Sequence, residues 1–268
     1  MGWSFGKEAR TFWRSRELFL LSLPGLAVLA VFYYLPMFGL VMAFKDFLPA
    51  QGFWGSEWIG FKNFEFFFTS DIAYRVTRNT VLMNLGVIVA GQLSSLIAAL
   101  ALFELSKRVT KFYQTALFVP YFTSWVVVGF LLYGFLNKDL GILNQLIEAR
   151  GGEARLWYLD PAPWPAILIL SNTWKELGFR SLIYYTGLMG VDYALYEAAA
   201  IDGASKFRQL TRISVPLLAP LIALLTMTQI GQIMRADFGM FYFLPMNSGP
   251  LYEVTDVIDT FVFRTIRV

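Results

Sequence analysis

The sequence predicts an all-α integral membrane protein, and three observations carry that expectation. Of the 268 residues, 57 % are hydrophobic and only 15 % charged, with a mean hydropathy of +0.54. Soluble domains hold about 45–50 % apolar and about 25 % charged residues. Four runs without Asp, Glu, Lys or Arg reach membrane length: 18–44, 79–103, 112–137 and 213–234, of 27, 25, 26 and 22 residues. A helix needs about 20 apolar residues to cross a bilayer. A fifth stretch, 161–191, is long enough but carries Lys175, Glu176 and Arg180.

Taken in order, the first run is too long for a signal peptide, and no small-residue cleavage site follows "FYYLPMFGLVMAF". Pro36 in this run and Pro120 in the third are expected to mark kinks. The segment 53–70, "FWGSEWIGFKNFEFFFTS", is dense in aromatics and reads as a short interfacial helix. "LGILNQLIEARGG" has helical periodicity ending at Gly151–Gly152. After the last run, residues 238–252 give only 15 uncharged positions broken by Pro245, Gly249 and Pro250. The expectation is therefore five spans, with the chain stopping on the outer side.

Lys and Arg placement sets the orientation. With the N-terminus inside, segments 1–17, 104–111 and 192–212 hold ten basic residues in 46 positions, among them Lys7, Arg10 and Arg14. The outer segments hold ten in 92. The density is twice as high inside, which predicts a multi-pass cell-membrane protein (inner or plasma membrane) with a cytoplasmic N-terminal segment, 1–17. One membrane domain, 18–268, then carries a cytoplasmic loop at 192–212.

Composition removes several chemistries. There is no Cys, so no disulfide framework or thiolate site, and no His, the commonest proton shuttle. The net charge is +3 with no basic tract, so nucleic acid is not expected as a partner. No G-x-x-x-x-G-K-[ST] phosphate loop occurs. The chain reads as part of a transporter rather than as an enzyme.

One cytoplasmic stretch stands out, "YEAAAIDGAS". From Glu197 onward the pattern is E-A-A-x-x-x-G-x9-I-x-V-P, set by Glu197, Ala198, Ala199, Gly203, Ile213, Val215 and Pro216. Alanines supply helix propensity over 196–202. Gly203 can take the left-handed conformation that ends a helix. Residues 204–212 can form a second, basic helix capped by Asp202, with Pro216 entering the next span. The alanine surface allows another protein to come close, leaving Glu197 free to pair with a partner arginine. Glu197 as a solvated helix-start carboxylate is the plainer account.

This spacing resembles the EAA loop of permease subunits of binding-protein-dependent ATP-binding-cassette importers. "WIGFKNFEFFF", "RNTVLMN", "LYEAAAIDGASKFRQLTRISVPLLAPLI" and "TDVIDTFVFR" make the chain similar to the carbohydrate branch, of the oligosaccharide or polysaccharide-fragment type related to maltose permeases. Val215 stands where leucine is usual. The resemblance implies the type I importer fold, a MetI-like helical bundle. In that fold the loop docks as a coupling helix on a cytoplasmic ATPase, with Glu197, Ala198, Ala199, Asp202, Gly203, Ile213 and Pro216 at or near the contact. It further implies a second, different permease subunit in a heterodimer, two ATPase copies, an extracytoplasmic solute-binding protein and a carbohydrate substrate, all in membrane lipid. This chain would bind no cofactor; ATP and Mg would be used by the partner ATPase. The family usually has a sixth span beyond the "TDVIDTFVFR" region, so truncation of the sequence is the expected reason for its absence.

Candidates for the substrate pathway are polar and aromatic residues inside spans: Asn84, Gln92, Tyr121, Trp125, Asn172, Trp174, Lys175, Glu176, Gln229 and Gln232. Each has a plainer reading as an interhelical hydrogen bond or packing group, and Glu176 with Arg180 as an ion pair at i, i+4. A competing function, an ion-gradient-driven secondary sugar transporter, would need carboxylates or histidines at membrane depth. Only Glu176 could serve.

Overall fold

The computed structural model describes residues 15–266. Lys7, Arg10 and Arg14, and with them nearly all of segment 1–17, lie outside the described residues. The chain divides into two compact units, Met1–Ala73 and Tyr74–Val268.

In the first unit, α1 (Arg16–Leu29) runs on through a π turn at Ala30–Tyr34 to Phe44, making one span of 29 residues. The proline ring of Pro36 would press on the carbonyl four residues earlier, at Phe32; the wider π turn lies over that position. A two-residue ribbon follows, β1 (Lys45–Asp46) against β2 (Glu57–Trp58). Next comes α2 (Lys62–Thr69), the short helix expected in the aromatic segment. Phe44 gathers the rings of Trp58, Phe61 and Phe64 at 5.8, 5.4 and 5.5 Å. Asn63 Nδ2 fixes the corner by donating to the carbonyls of Ala43 and Lys45.

The second unit is built on α3 (Asp71–Phe103), α4 (Lys107–Phe118), α5 (Trp125–Leu136), α6 (Ile142–Glu148) and α7 (Trp164–Met189). It continues with α8 (Ala194–Ile201), α9 (Lys206–Gln209), α10 (Val215–Ile230), α11 (Phe238–Phe243) and α12 (Ile258–Ile266). On α3 the buried positions Val76, Thr80, Met83, Val87, Gly91, Ser95, Ala99 and Leu102 recur every three or four residues, one helical face.

Among the described residues three helices are long and apolar enough to cross a membrane: Arg16–Phe44, Asp71–Phe103 and Lys206–Ile230. α7, at 26 residues, is about 39 Å long. The three charges expected inside it sit in its middle.

The run 112–137 is not one helix, correcting the sequence expectation. The stretch Lys107–Phe122 and α5 meet at a bend of 96°. Pro120 lacks an amide to continue the ladder. Thr123 and Ser124 are then both extended, and Ser124 Oγ accepts from Val127 N at 3.3 Å, starting a new helix. A second correction concerns residues 204–212, which do not form a separate helix. A π turn at Leu210–Ser214 lies over the carbonyl that Pro216 would strike, and the helix runs unbroken from Lys206 to Ile230.

Two apolar clusters bracket α7. One holds Trp164 and Leu168 with Val128, Leu136, Met240, Phe241 and Leu244; the other holds Tyr184 and Leu188 with Ala99 and Leu218. The segments assigned to one membrane side also meet. Lys206 Nζ lies 3.3 Å from Glu104 Oε2 at one end, and Ser248 Oγ donates to the Tyr158 carbonyl at 2.8 Å at the other. The broken tail 238–257 is not left outside the bundle, because Met240, Phe241, Leu244, Leu251 and Val257 are core residues.

Candidate functional site

The elbow after α8 is a backbone device. Gly203 has φ +77°. Its N–H donates to the Ala200 carbonyl at 3.0 Å, and Ala204 N donates to the Ala199 carbonyl at 2.9 Å. Those two bonds form the Schellman closure that a left-handed residue permits. Nothing lies within 4 Å of the position a Cβ would take at Gly203, so conformation alone demands glycine here. Asp202 is the C-cap residue of α8, and Ser205 caps the following helix, its Oγ accepting from Arg208 N. The cap expected of Asp202 is thus corrected: the turn carries the chain on by three more residues before the next helix starts.

Tyr196 anchors the elbow. It is 5 % exposed, its hydroxyl lies 2.9 Å from Ser214 Oγ, and its ring lies 5.6 Å from Phe103. Ala199 and Ile213 are half-buried. Glu197, Ala198, Asp202, Gly203 and Pro216 are exposed. Beside them Ile201 and Phe207 stand out at 87 % and 76 % exposure. The elbow therefore presents a carboxylate, small residues and two large apolar side chains, held on a fixed base.

Beside the first apolar cluster, with Val87, Ala236 and Met240 in its wall, lies a cavity of about 590 Å³. Asn84 of α3, Asn172 and Glu176 of α7, Gln229 of α10 and Gln232 line it, five of the ten residues expected on the pathway. Asn172, Glu176 and Arg180 form consecutive four-residue steps along α7, a polar row about 12 Å long. Asn172 is 6 % exposed, and its Oδ1 has no partner among the described residues.

The other five do not line this cavity. Gln92 is spent between helices, accepting from the Tyr184 hydroxyl and donating to Thr226 Oγ1 at 3.3 Å. Trp174 is 48 % exposed on another side of α7. Lys175, Tyr121 and Trp125 belong to the bend. Lys175 Nζ donates to the Tyr121 carbonyl at 2.8 Å and lies 5.3 and 5.2 Å from the centroids of the Tyr121 and Trp125 rings.

Arg180, weighed as a path residue beside its plainer reading as the ion-pair partner of Glu176, also lines the cavity, whereas sequence reasoning missed Arg235, Asp237 and Asp259. Their signal was available in part, since "RADF" ends the last apolar run with charge. Asp237 accepts from Met240 N and from Trp125 Nε1, and Asp259 Oδ2 from Ala236 N. Sequence patterning does not show that α12 folds back to bring Asp259 here.

Residues 85–243 match the family described as binding-protein-dependent transport system inner membrane component. Protein LplB of Bacillus subtilis is 36 % identical over 252 residues, covering 93 % of this chain and 78 % of the relative. The polygalacturonan/rhamnogalacturonan transport system permease protein YteP of the same organism is 35 % identical, with the same coverage of both chains. A solved bacterial ABC transporter involved in import of the acidic polysaccharide alginate superposes with a TM-score of 0.86 at 32 % identity, over 96 % of this chain and 86 % of that one. Its helical fold, its elbow and these likenesses together make the chain a member of the binding-protein-dependent transport system inner membrane component family.

Proposed function

We propose that this chain is the permease subunit of an ATP-driven importer for oligosaccharides, specifically fragments of an acidic polysaccharide, delivered by a solute-binding protein. The observation that carries the reading is the exposed elbow at Glu197–Gly203, rigidly based on Tyr196, on a chain with no phosphate loop of its own. A membrane protein so equipped transmits force from a separate ATPase. Two of the relatives named above are a polygalacturonan/rhamnogalacturonan transport system permease and a transporter involved in alginate import, and one solved relative is in complex with an alginate pentasaccharide-bound periplasmic protein. Glu197 would meet a basic residue of the ATPase, with Ala198, Ala199 and Asp202 allowing close approach and Gly203, Ile213 and Pro216 fixing the elbow. A second permease would complete the wall of the polar cavity, and the N-terminus would lie in the cytoplasm with the elbow.

The test is uptake of labelled oligosaccharide by the assembled transporter. Uptake should require ATP, and Glu197→Lys should abolish it while the protein stays in the membrane and loses its ATPase on pull-down. Full uptake with wild-type ATPase recovery in Glu197→Lys would sink the elbow's role. Uptake that survives ATP depletion and collapses with an uncoupler would favour ion coupling instead.

A further inference from the structure

Gly91 lies on the buried face of α3, against the Arg180 guanidinium. A Cβ at position 91 would collide with Arg180 Nη1 and come within 3.3 Å of its Cζ. We propose that Gly91 is the seat of the Arg180 guanidinium, and that this cation reads the carboxylate of a uronic-acid residue in the transported fragment. The inference rests on the importer reading above.

The guanidinium is poorly paired for so buried a group. Glu176 Oε2 is 4.0 Å away, Gln229 Oε1 accepts a long bond at 3.4 Å, and the side chain is 18 % exposed. Five N–H donors in a planar fork are thus mostly unspent. A planar carboxylate accepts two of them in parallel, which a hydroxyl cannot. Three carboxylates share the cavity with it, yet two are committed elsewhere: both Asp237 oxygens and one Asp259 oxygen already accept from N–H groups. Arg235 adds a second cation to the same lining. Asn172 Oδ1, buried and unpartnered two steps along α7, is an acceptor for a hydroxyl of the same sugar chain. With any side chain at 91, the guanidinium has to leave its place between α3 and Gln229, and the donors lose their aim.

The experiment is equilibrium binding of an oligogalacturonide and of its carboxyl-reduced neutral counterpart to the assembled transporter in nanodiscs, without the binding protein. Wild type should prefer the acidic sugar by about ten- to a hundredfold, the range for hydrogen bonds to charged groups. Arg180→Gln should erase that preference, whereas Arg180→Lys should keep part of it. Gly91→Ala should lose the preference as well, and the Gly91→Ala/Arg180→Gln double variant should match Arg180→Gln alone. Absence of acid preference in wild type, including binding of neither sugar, overturns the inference. A Gly91→Ala defect that persists or adds in the Arg180→Gln background overturns it too, because the glycine would then serve helix packing. ATP-dependent uptake by wild type is measured in parallel: uptake without acid preference removes only this inference, and uptake of no glycan removes the importer reading with it.

Discussion

Asn79 Nδ2 donates to the backbone carbonyl of Asp256 at 3.1 Å, joining two stretches 177 residues apart. The same amide nitrogen lies 2.9 Å from the Glu253 carbonyl, and Thr80 Oγ1 accepts from Ile258 N. The Asp256 carboxylate, 2 % exposed, takes Arg75 on one oxygen at 3.5 Å and Arg264 on the other. "RNTVLMN" and "TDVIDTFVFR", noticed separately in the sequence, are therefore the two halves of one polar clamp. It holds the broken tail onto the start of α3, and through the tail it holds Asp259 at the cavity.

Asp256 is the buried member of this clamp, and its removal leaves two partly exposed guanidiniums, 37 % and 22 % exposed, without their carboxylate. Asp256→Ala should destabilise the protein by about 1.5–3 kcal/mol, the range for hydrogen bonds to charged groups. Asn79→Ala should cost about 1–3 kcal/mol from the two carbonyls left without a donor. Thermal unfolding of the purified protein in detergent reads both. Asp256→Ala melting at the wild-type temperature would show that the tail is held by its apolar residues alone.

Gly203→Ala tests the elbow without touching its packing. The site has open space for a methyl group but a φ of +77°, so the whole penalty is conformational, about 1–2 kcal/mol. The membrane level of the protein should stay the same while ATPase recovery on pull-down and uptake fall together. Gly203→Asp, which adds a charge to the exposed turn, should abolish uptake. Normal coupling in both variants would mean that the turn tolerates another geometry.

The elbow and the bundle were legible because their signals are local. A glycine after a helix-forming run, or some 25 residues without charge, can be seen within one turn or one span. The bend at Thr123–Ser124 was not legible. Pro120 announced only a kink, and the cation that satisfies the freed Tyr121 carbonyl sits 54 residues further on. Ser205 and Asp202 are equally good capping residues in isolation, so local sequence does not choose between them; the left-handed turn at Gly203 places Asp202 too early. The cavity was half legible. Amides within apolar runs pointed to it, whereas Arg235 and Asp259 reach it only because the tail returns, a long-range event with no periodicity to mark it.

Lys175 should act on the bend rather than on substrate. Lys175→Met keeps the bulk of the side chain and deletes the bond to the Tyr121 carbonyl, a charged hydrogen bond of about 1.5–3 kcal/mol. It also removes contacts with two rings, each about 0.5–2 kcal/mol. The chain has no native cysteine, so spin labels at Thr115→Cys and Phe130→Cys, both exposed, report the angle between α4 and α5 directly. The distance distribution should broaden and the melting temperature fall. A narrow, unshifted distribution would mean that Thr123, Ser124 and Pro120 set the bend without the lysine.

Tyr158 gives a pH signature on the side opposite the elbow. Its hydroxyl is buried with no partner among the described residues, and its ring packs 5.6 Å from Tyr133 and 5.2 Å from Trp164. Burial, with a smaller push from Tyr133, raises its pKa well above the ordinary 10.0. A raised folded value means that the fold favours the neutral phenol. That contribution is fully present below about pH 10 and is lost as pH rises from the unfolded value toward the folded one. Tyr158→Phe removes both the titration and an unsatisfied hydroxyl, so at pH 8 its stability should equal the wild type or exceed it by about 1 kcal/mol. Between pH 9 and pH 11 the variant should lose less thermal stability than the wild type. Every other tyrosine and lysine is shared, so the difference between the two melting curves isolates this group. Parallel declines would place the Tyr158 hydroxyl in contact with water.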